Sequence, residues 1–275
     1  MHQGKAAMKA QEAKTRCVDE QIEIAAPAEA IWKALTVPEE LTRWFPLDAG
    51  ENPDGTGWMA WGEDFRFSGR VTASERQKFL RTEPVYPPGV QGPPMVTEFR
   101  LEARGAKTLV RVIQSGFGAE AQWDEEIDGT RRGWKFQLRS LQNYLEKHAG
   151  MPRRVAWARR LHDFPREEAW RRLVGEQGIQ FEPGGELLKP GDRYRARLPT
   201  GELFEGVVHY CRPMRDMAGS VENYNHAHLS ITLDDLPMRK YRDVNLWLST
   251  WGVPAAEVAA MEMRWKALLK KRFEN

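Results

Sequence analysis

Residues 26–35, APAEAIWKAL, and residues 163–173, DFPREEAWRRL, state one pattern twice, with Pro27, Trp32 and Leu35 spaced as are Pro165, Trp170 and Leu173. The correspondence continues downstream. FSGRV around Gly69 parallels FEGVV around Gly206. VRVIQSGFG, residues 110–118, parallels VNLWLSTWG, residues 244–252, and a long helical stretch follows each. A period of about 135–140 residues is a domain length rather than a solenoid period. The chain therefore reads as two copies of one fold: a polar tail over 1–16, a first domain over 17–150 and a second, divergent one over 151–275.

The 275 residues suffice for two cores, and 41% hydrophobic with 29% charged residues is ordinary for a soluble protein. No apolar run reaches a membrane-spanning length, so no membrane insertion is expected. MHQGKAAMKAQEAKTR has no apolar segment of the signal-peptide kind. Cys17 and Cys211 are the only cysteines and fall in different copies, which suits a reducing, cytoplasmic setting. Net charge is +2, and no reading element accompanies the basic residues, so nucleic acid is not an expected partner. Arg153, Arg154, Arg159, Arg160, Arg166, Arg171 and Arg172 make the second copy locally basic and read as a solvated face.

In the first copy, Val18, Ile22 and Ile24 alternate with polar residues as in a half-buried strand. Pro27 suits the first turn of a helix. Val37-Pro38-Glu39-Glu40-Leu41 restarts a second short helix. Strands are expected at 58–61, 65–73, 78–82, 96–103 and 108–115, then a helix over 123–148 with a stripe of Ile127, Trp134, Leu138, Leu141 and Leu145. The second copy repeats this with strands at 155–160, 193–198, 203–212, 217–224, 228–233 and 244–250. Its helices fall at 165–174 and 254–273, the latter carrying Val258, Met261, Trp265 and Leu268 on one face. Gly175 and Gly178 interrupt its second short helix. Short turns between the strands imply an antiparallel meander, and only the final helix is long enough to cover its concave face.

That order, with IAAPAEAIWKALTVPEELTRWF (24–45), Gly69, Ser115-Gly116-Phe117 and Gly133-Trp134, resembles the helix-grip superfamily called SRPBCC or START/birch-pollen-allergen-like. Within it, the first copy is most similar to the activator of heat-shock protein 90 ATPase homologues. The second copy resembles the fold more than that branch. It lacks the Pro-Glu helix and has Thr250-Trp251 in place of Gly116-Phe117. The resemblance implies an α+β fold, a curved antiparallel sheet wrapped around a long C-terminal helix in each domain, with a cavity between them. It also implies a small hydrophobic ligand, with a chaperone-type protein partner as the alternative and a cyclase or dehydratase as a third reading.

The residues expected around the cavity are Trp44, Trp58, Trp61, Phe99, Val110, Val112, Gln114, Gly129, Gly133 and Trp134. Val110, Val112 and Gln114 share a strand face opposite Arg111, so inward valines would place the Gln114 amide in an apolar pocket. Gly129 and Gly133 share a helix face and leave room for a strand or a ligand. Trp44, Trp58 and Trp61 suit a cavity mouth. Glu98, Arg66 and Arg111 are the nearest ionisable groups, and they read as surface pairs. No catalytic motif is present and no cofactor is expected. His209 with Cys211 and His226 with His228 make two strand pairs of metal-ligand type. The strand at 217–224 should hold them apart, so no metal is assigned. Trp247, Trp251, Met261, Met263 and Trp265 are expected to fill the second cavity, leaving it the smaller.

Overall fold

The computed structural model describes residues 16–63, 65–236 and 241–274; the tail expected over 1–16 lies outside them apart from Arg16. The first domain runs β1 (Arg16–Ile24), α1 (Ala28–Thr36), α2 (Pro38–Leu41), β2 (Asp48–Glu51), β3 (Gly57–Trp61), β4 (Phe65–Glu75), β5 (Phe79–Val85), β6 (Val96–Arg104), β7 (Lys107–Phe117) and α3 (Asp124–Lys147). The second runs β8 (Arg153–His162), α4 (Arg166–Leu173), β9 (Gln180–Glu182), β10 (Arg193–Arg197), β11 (Leu203–Arg212), β12 (Asp216–Val221), β13 (Ala227–Leu236), β14 (Tyr241–Trp251) and α5 (Ala255–Arg272). The sheet orders are β1-β7-β6-β5-β4-β3-β2 and β8-β14-β13-β12-β11-β10-β9, all pairs antiparallel. Each strand of the second sheet takes the place of the strand seven earlier in the first, so the duplication read from the sequence is a duplication of topology. The fold is α+β, with two helix-grip domains.

Each sheet has one strand more than the sequence suggested. The additions, β2 and β9, are short edge strands without an alternating pattern to announce them. Pro27 and Pro165 stand at the cap before α1 and α4, with extended ψ of 151° and 148°, one place earlier than a first-turn proline. After α4 no second short helix forms. Gly178 lies against the Leu173 carbonyl, and Val174 bridges to Ile179 instead.

The first core gathers Val18, Ile31, Leu35, Trp44, Val110 and Val112 beneath Ile127, Trp134, Leu138 and Leu141 of α3. The second gathers Trp170, Phe204, Leu229, Leu246 and Leu248 beneath Val258, Met261, Trp265 and Leu269 of α5. Two large residues expected in that core face the other way. On β14, Val244, Leu246 and Leu248 point inward, so Trp247 and Trp251 fall on the outer face by strand alternation. Trp251 joins the first domain's core, its ring 4.8 Å from His148 and its Nε1 donating to the Arg43 carbonyl at 3.1 Å. Trp247 clusters with Phe136, Trp61 and Trp157 between the domains. Met263 is 67% exposed, off the buried stripe of α5.

Helix α3 is thus covered on two sides. Its second side meets the outer face of the second sheet, where Phe136 stacks on His228 at 4.2 Å. Arg132 is buried among Asp128, Asp216 and Asp234 at 3.2, 3.3 and 2.6 Å. Arg212 and Arg215 reach Asp128 at 2.9 and 2.6 Å. Burial alone would lower the Arg132 pKa, but the three carboxylates outweigh it and raise it. The basic run of the second copy belongs partly to this junction and is not simply a solvated face. Arg153 donates to the Phe45 and Pro46 carbonyls, Arg166 pairs with Glu125 at 3.4 Å, and Arg159 lies 4.7 Å from the Phe65 ring.

Candidate functional site

A cavity of about 970 Å³ opens in the first domain between β2–β6, the end of α1 and the first turns of α3. Strand alternation builds its wall. Leu80, Thr82 and Pro84 share one face of β5, and Met95 and Thr97 continue the face of the buried Phe99. Met59, Phe67, Gly69 and Val71 add the β3–β4 side, and Trp123, Glu126 and Thr130 add the helix side. Phe67 and Val71 are 51% and 55% exposed, so the cavity has an apolar, solvent-facing rim. Tyr86 also lines it; its hydroxyl donates to the Pro93 carbonyl at 2.8 Å, and burial raises its pKa.

Two of the ten residues expected at the site lie on this wall, Trp58 and Gln114. The Trp58 ring lies across Gly50, where a Cβ would come within 2.7 Å of it, and the Arg66 guanidinium covers it at 4.0 Å. Gln114 Oε1 accepts a hydrogen bond from Trp134 Nε1 at 2.6 Å, which leaves the amide nitrogen as the group a ligand could meet. Trp134 itself stands behind the wall, between Phe45 at 5.4 Å and Phe99 at 5.5 Å. Trp44, Val110 and Val112 are fully buried in the packed core, and Trp44 Nε1 donates to the Ala34 carbonyl. Trp61 packs on Phe45 and joins the cluster between the domains.

Gly129 and Gly133 sit away from both sheet and cavity. A Cβ at Gly133 would meet nothing within 4 Å, and one at Gly129 would approach only Arg132, at 3.6 Å. No strand approaches these glycines closely, and neither lines the cavity, which reaches only the N-terminal turns of α3. Thr82 and Thr97 were missed, although the two-residue period could have found them by counting from Leu80 and Phe99.

The ionisable residues Glu98 and Arg111 are in surface pairs, with Arg100 at 2.8 Å and with Asp19. Arg70, Glu83 and Glu126 take their place on the wall, and none of the three is buried. Glu83 is bonded to Arg81 at 3.1 Å.

The separation expected for the histidines is overturned at one pair. β12 does lie between β11 and β13, yet His209 Nδ1 and His228 Nε2 are 3.3 Å apart. The register of β11 shifts at His209, and only Gly219 and Ser220 intervene on β12, so the two rings meet over small residues. Among the described residues no three His, Cys, Asp or Glu side chains are placed to hold a metal ion. Among the same residues no helix is long and apolar enough to cross a membrane.

A sheet gripping a helix around an open apolar cavity defines the class of protein. Residues 25–146, most of the first domain, match the family model described as Activator of Hsp90 ATPase homolog 1-like protein. No curated protein matches the chain. Among solved structures, the Aha1 dimer from Colwellia psychrerythraea is 22% identical over 49% of this chain and 99% of its own, with a TM-score of 0.42. DynU16, from the dynemicin biosynthetic locus, is 17% identical over 94% of this chain and 95% of its own, with a TM-score of 0.42. The di-domain ARO/CYC BexL from the BE-7585A biosynthetic pathway is 14% identical over 94% and 99%, with a TM-score of 0.40.

Proposed function

We propose that the chain binds a small hydrophobic molecule, as a carrier or sensor, in the first-domain cavity, with 17–150 as the binding unit and 151–275 as its brace. The observation that carries this reading is the cavity of about 970 Å³ with its apolar rim. The interior of the second sheet, by contrast, is taken up by packed side chains. Burial of ligand surface supplies about 25 cal/mol per Å² before ordering costs, and Gln114 supplies one oriented polar contact. Native mass spectrometry of the purified full-length chain, beside the denatured sample, tests it. A mass lost on denaturation supports the reading; its absence, together with no uptake from a panel of apolar compounds, sinks it.

The exposed Phe67 and Val71, with the family match, favour a second reading as a protein-interaction module of the chaperone-regulator kind. An unchanged heat-shock protein 90 ATPase rate on adding the protein would remove it. Acid–base catalysis ranks last, because none of the wall's ionisable residues is buried.

A further inference from the structure

A second, polar groove of about 250 Å³ lies between the C-terminal half of α3 and the outer face of β11–β13. Arg139, Asn143 and Lys147 succeed one another at four-residue intervals along the helix side. His209, Ser220 and His228 face them from the sheet.

The cations of this groove differ from the others at the same junction. Arg132, Arg212 and Arg215 all bind carboxylates. Among the described residues, Arg139 and Lys147 have no carboxylate within 4.0 Å: Arg139 donates to Gln142 Oε1 at 2.9 Å, and Lys147 Nζ lies 3.2 Å from His226 Nδ1. The acids of the groove have their closest partners elsewhere, although the Lys147 charge also acts on Glu222 from beyond 4.0 Å. Glu146 accepts from the Ala25 backbone N–H at 2.8 Å and from Gln142, and Glu222 pairs with Arg193 at 2.7 Å.

The imidazole pair extends this surplus of donors. His228 is buried against Phe136, and its Nδ1 has no partner. A buried lone pair without a partner is tolerated better than a buried N–H, so the His228 proton belongs on Nε2, donating to His209 Nδ1. The His209 proton then sits on its Nε2, which adds a third donor beside Arg139 and Lys147.

We propose that this groove binds a small oxyanion, a sulfate-, phosphate- or carboxylate-bearing molecule, held by Arg139, Lys147 and the imidazole of His209. Without an anion, burial and then the charges of Arg139 and Lys147 push His209 down to about 4. A bound anion reverses that field, so binding takes up one proton: His209 becomes the imidazolium and donates from Nδ1 to His228 Nε2, whose own proton moves to its Nδ1.

The test is calorimetric titration of the full-length protein with sulfate, whose charge is constant over the range, against chloride at matched ionic strength. One-site binding, roughly tenfold tighter at about pH 5.5 than at about pH 7.5, is expected. The Arg139→Gln/Lys147→Gln double variant, with its circular dichroism unchanged, should lose at least about tenfold in affinity, and His209→Gln should lose the pH dependence. A second arm, acetate and phosphate each competing with sulfate at about pH 7.5, separates carboxylate from phosphate ligands. No binding beyond that of chloride, or a double variant that binds as the parent does, overturns the proposal.

Discussion

Trp134 and Trp265 occupy the eleventh position of α3 and α5, each facing its own sheet, yet their surroundings differ. Trp134 donates to Gln114 beside an open cavity. Trp265 is fully enclosed, and its Nε1 has no partner. The repeat alignment places Leu248 where the first copy has Gln114, and Leu248 is fully buried in the second core. One fold has thus been filled in one copy and left open in the other. The filled copy is the one whose sheet also carries the neighbouring helix on its outer face.

The largest effect should come from the filled core. Trp265→Ala removes a fully buried indole and should cost about 3–5 kcal/mol in chemical denaturation, and Trp134→Ala, beside the cavity, should cost less. Equal losses would erase the contrast. Next is the doubly covered helix. Arg132→Met leaves Asp234 and Asp216 short of a partner and should cost about 3 kcal/mol. Lys266→Ala on the exposed side of α5 should stay within about 0.5 kcal/mol. A silent Arg132→Met would mean that the junction adds nothing to stability.

Overfilling sharpens the same comparison. Ala196 is fully buried in the second core, so Ala196→Trp should cost about 3 kcal/mol, whereas Thr82→Trp on the cavity wall should change stability by less than about 1 kcal/mol. A strongly destabilised Thr82→Trp would mean that the cavity is not space the fold leaves free.

The smallest effects concern pH. His209 is held at about 4 by burial and neighbouring cations, and His228 lies well below its usual value for the same first reason. The unfolded chain therefore binds protons near pH 6.5 that the folded chain refuses, and this stability is lost as pH falls from about 6.5 towards 4. Asp243 is raised to about 6 by burial and by Asp234, so its contribution is present at low pH and lost as pH rises through 6. Thermal midpoints between about pH 7 and 5 should fall more steeply for Asp243→Asn than for the parent and less steeply for His209→Gln. Parallel profiles for all three would refute this assignment.

Most of the fold was legible because strands and stripes carry their own period. The α3 stripe from Ile127 to Leu145 and the α5 stripe from Val258 to Leu268 name the faces that are buried. The second burial of α3 was not legible. Its far side carries Asp128 and Arg132, whose partner charges Asp216, Asp234, Arg212 and Arg215 come from another sheet and so leave no mark in the helix's own sequence. Trp247 and Trp251 were misplaced although strand parity, counted from Val244, sends them outward. At the site, the aromatic residues drew attention, but in this protein most of them pack the core. The cavity is walled by Thr82, Thr97 and Val71, which no composition signal marks, and Gln114 was found because it interrupts an inward row of valines.

Equilibrium binding of Nile red, a neutral apolar dye that the oxyanion groove should not hold, tests the central claim most directly when run on the full-length parent, Thr82→Trp and Ala227→Ser. The account predicts one site per chain in the parent, its loss in Thr82→Trp with folding intact, and its retention in Ala227→Ser. Absence of binding to the parent, or binding that Thr82→Trp leaves unchanged, would contradict an open first cavity beside a filled second core.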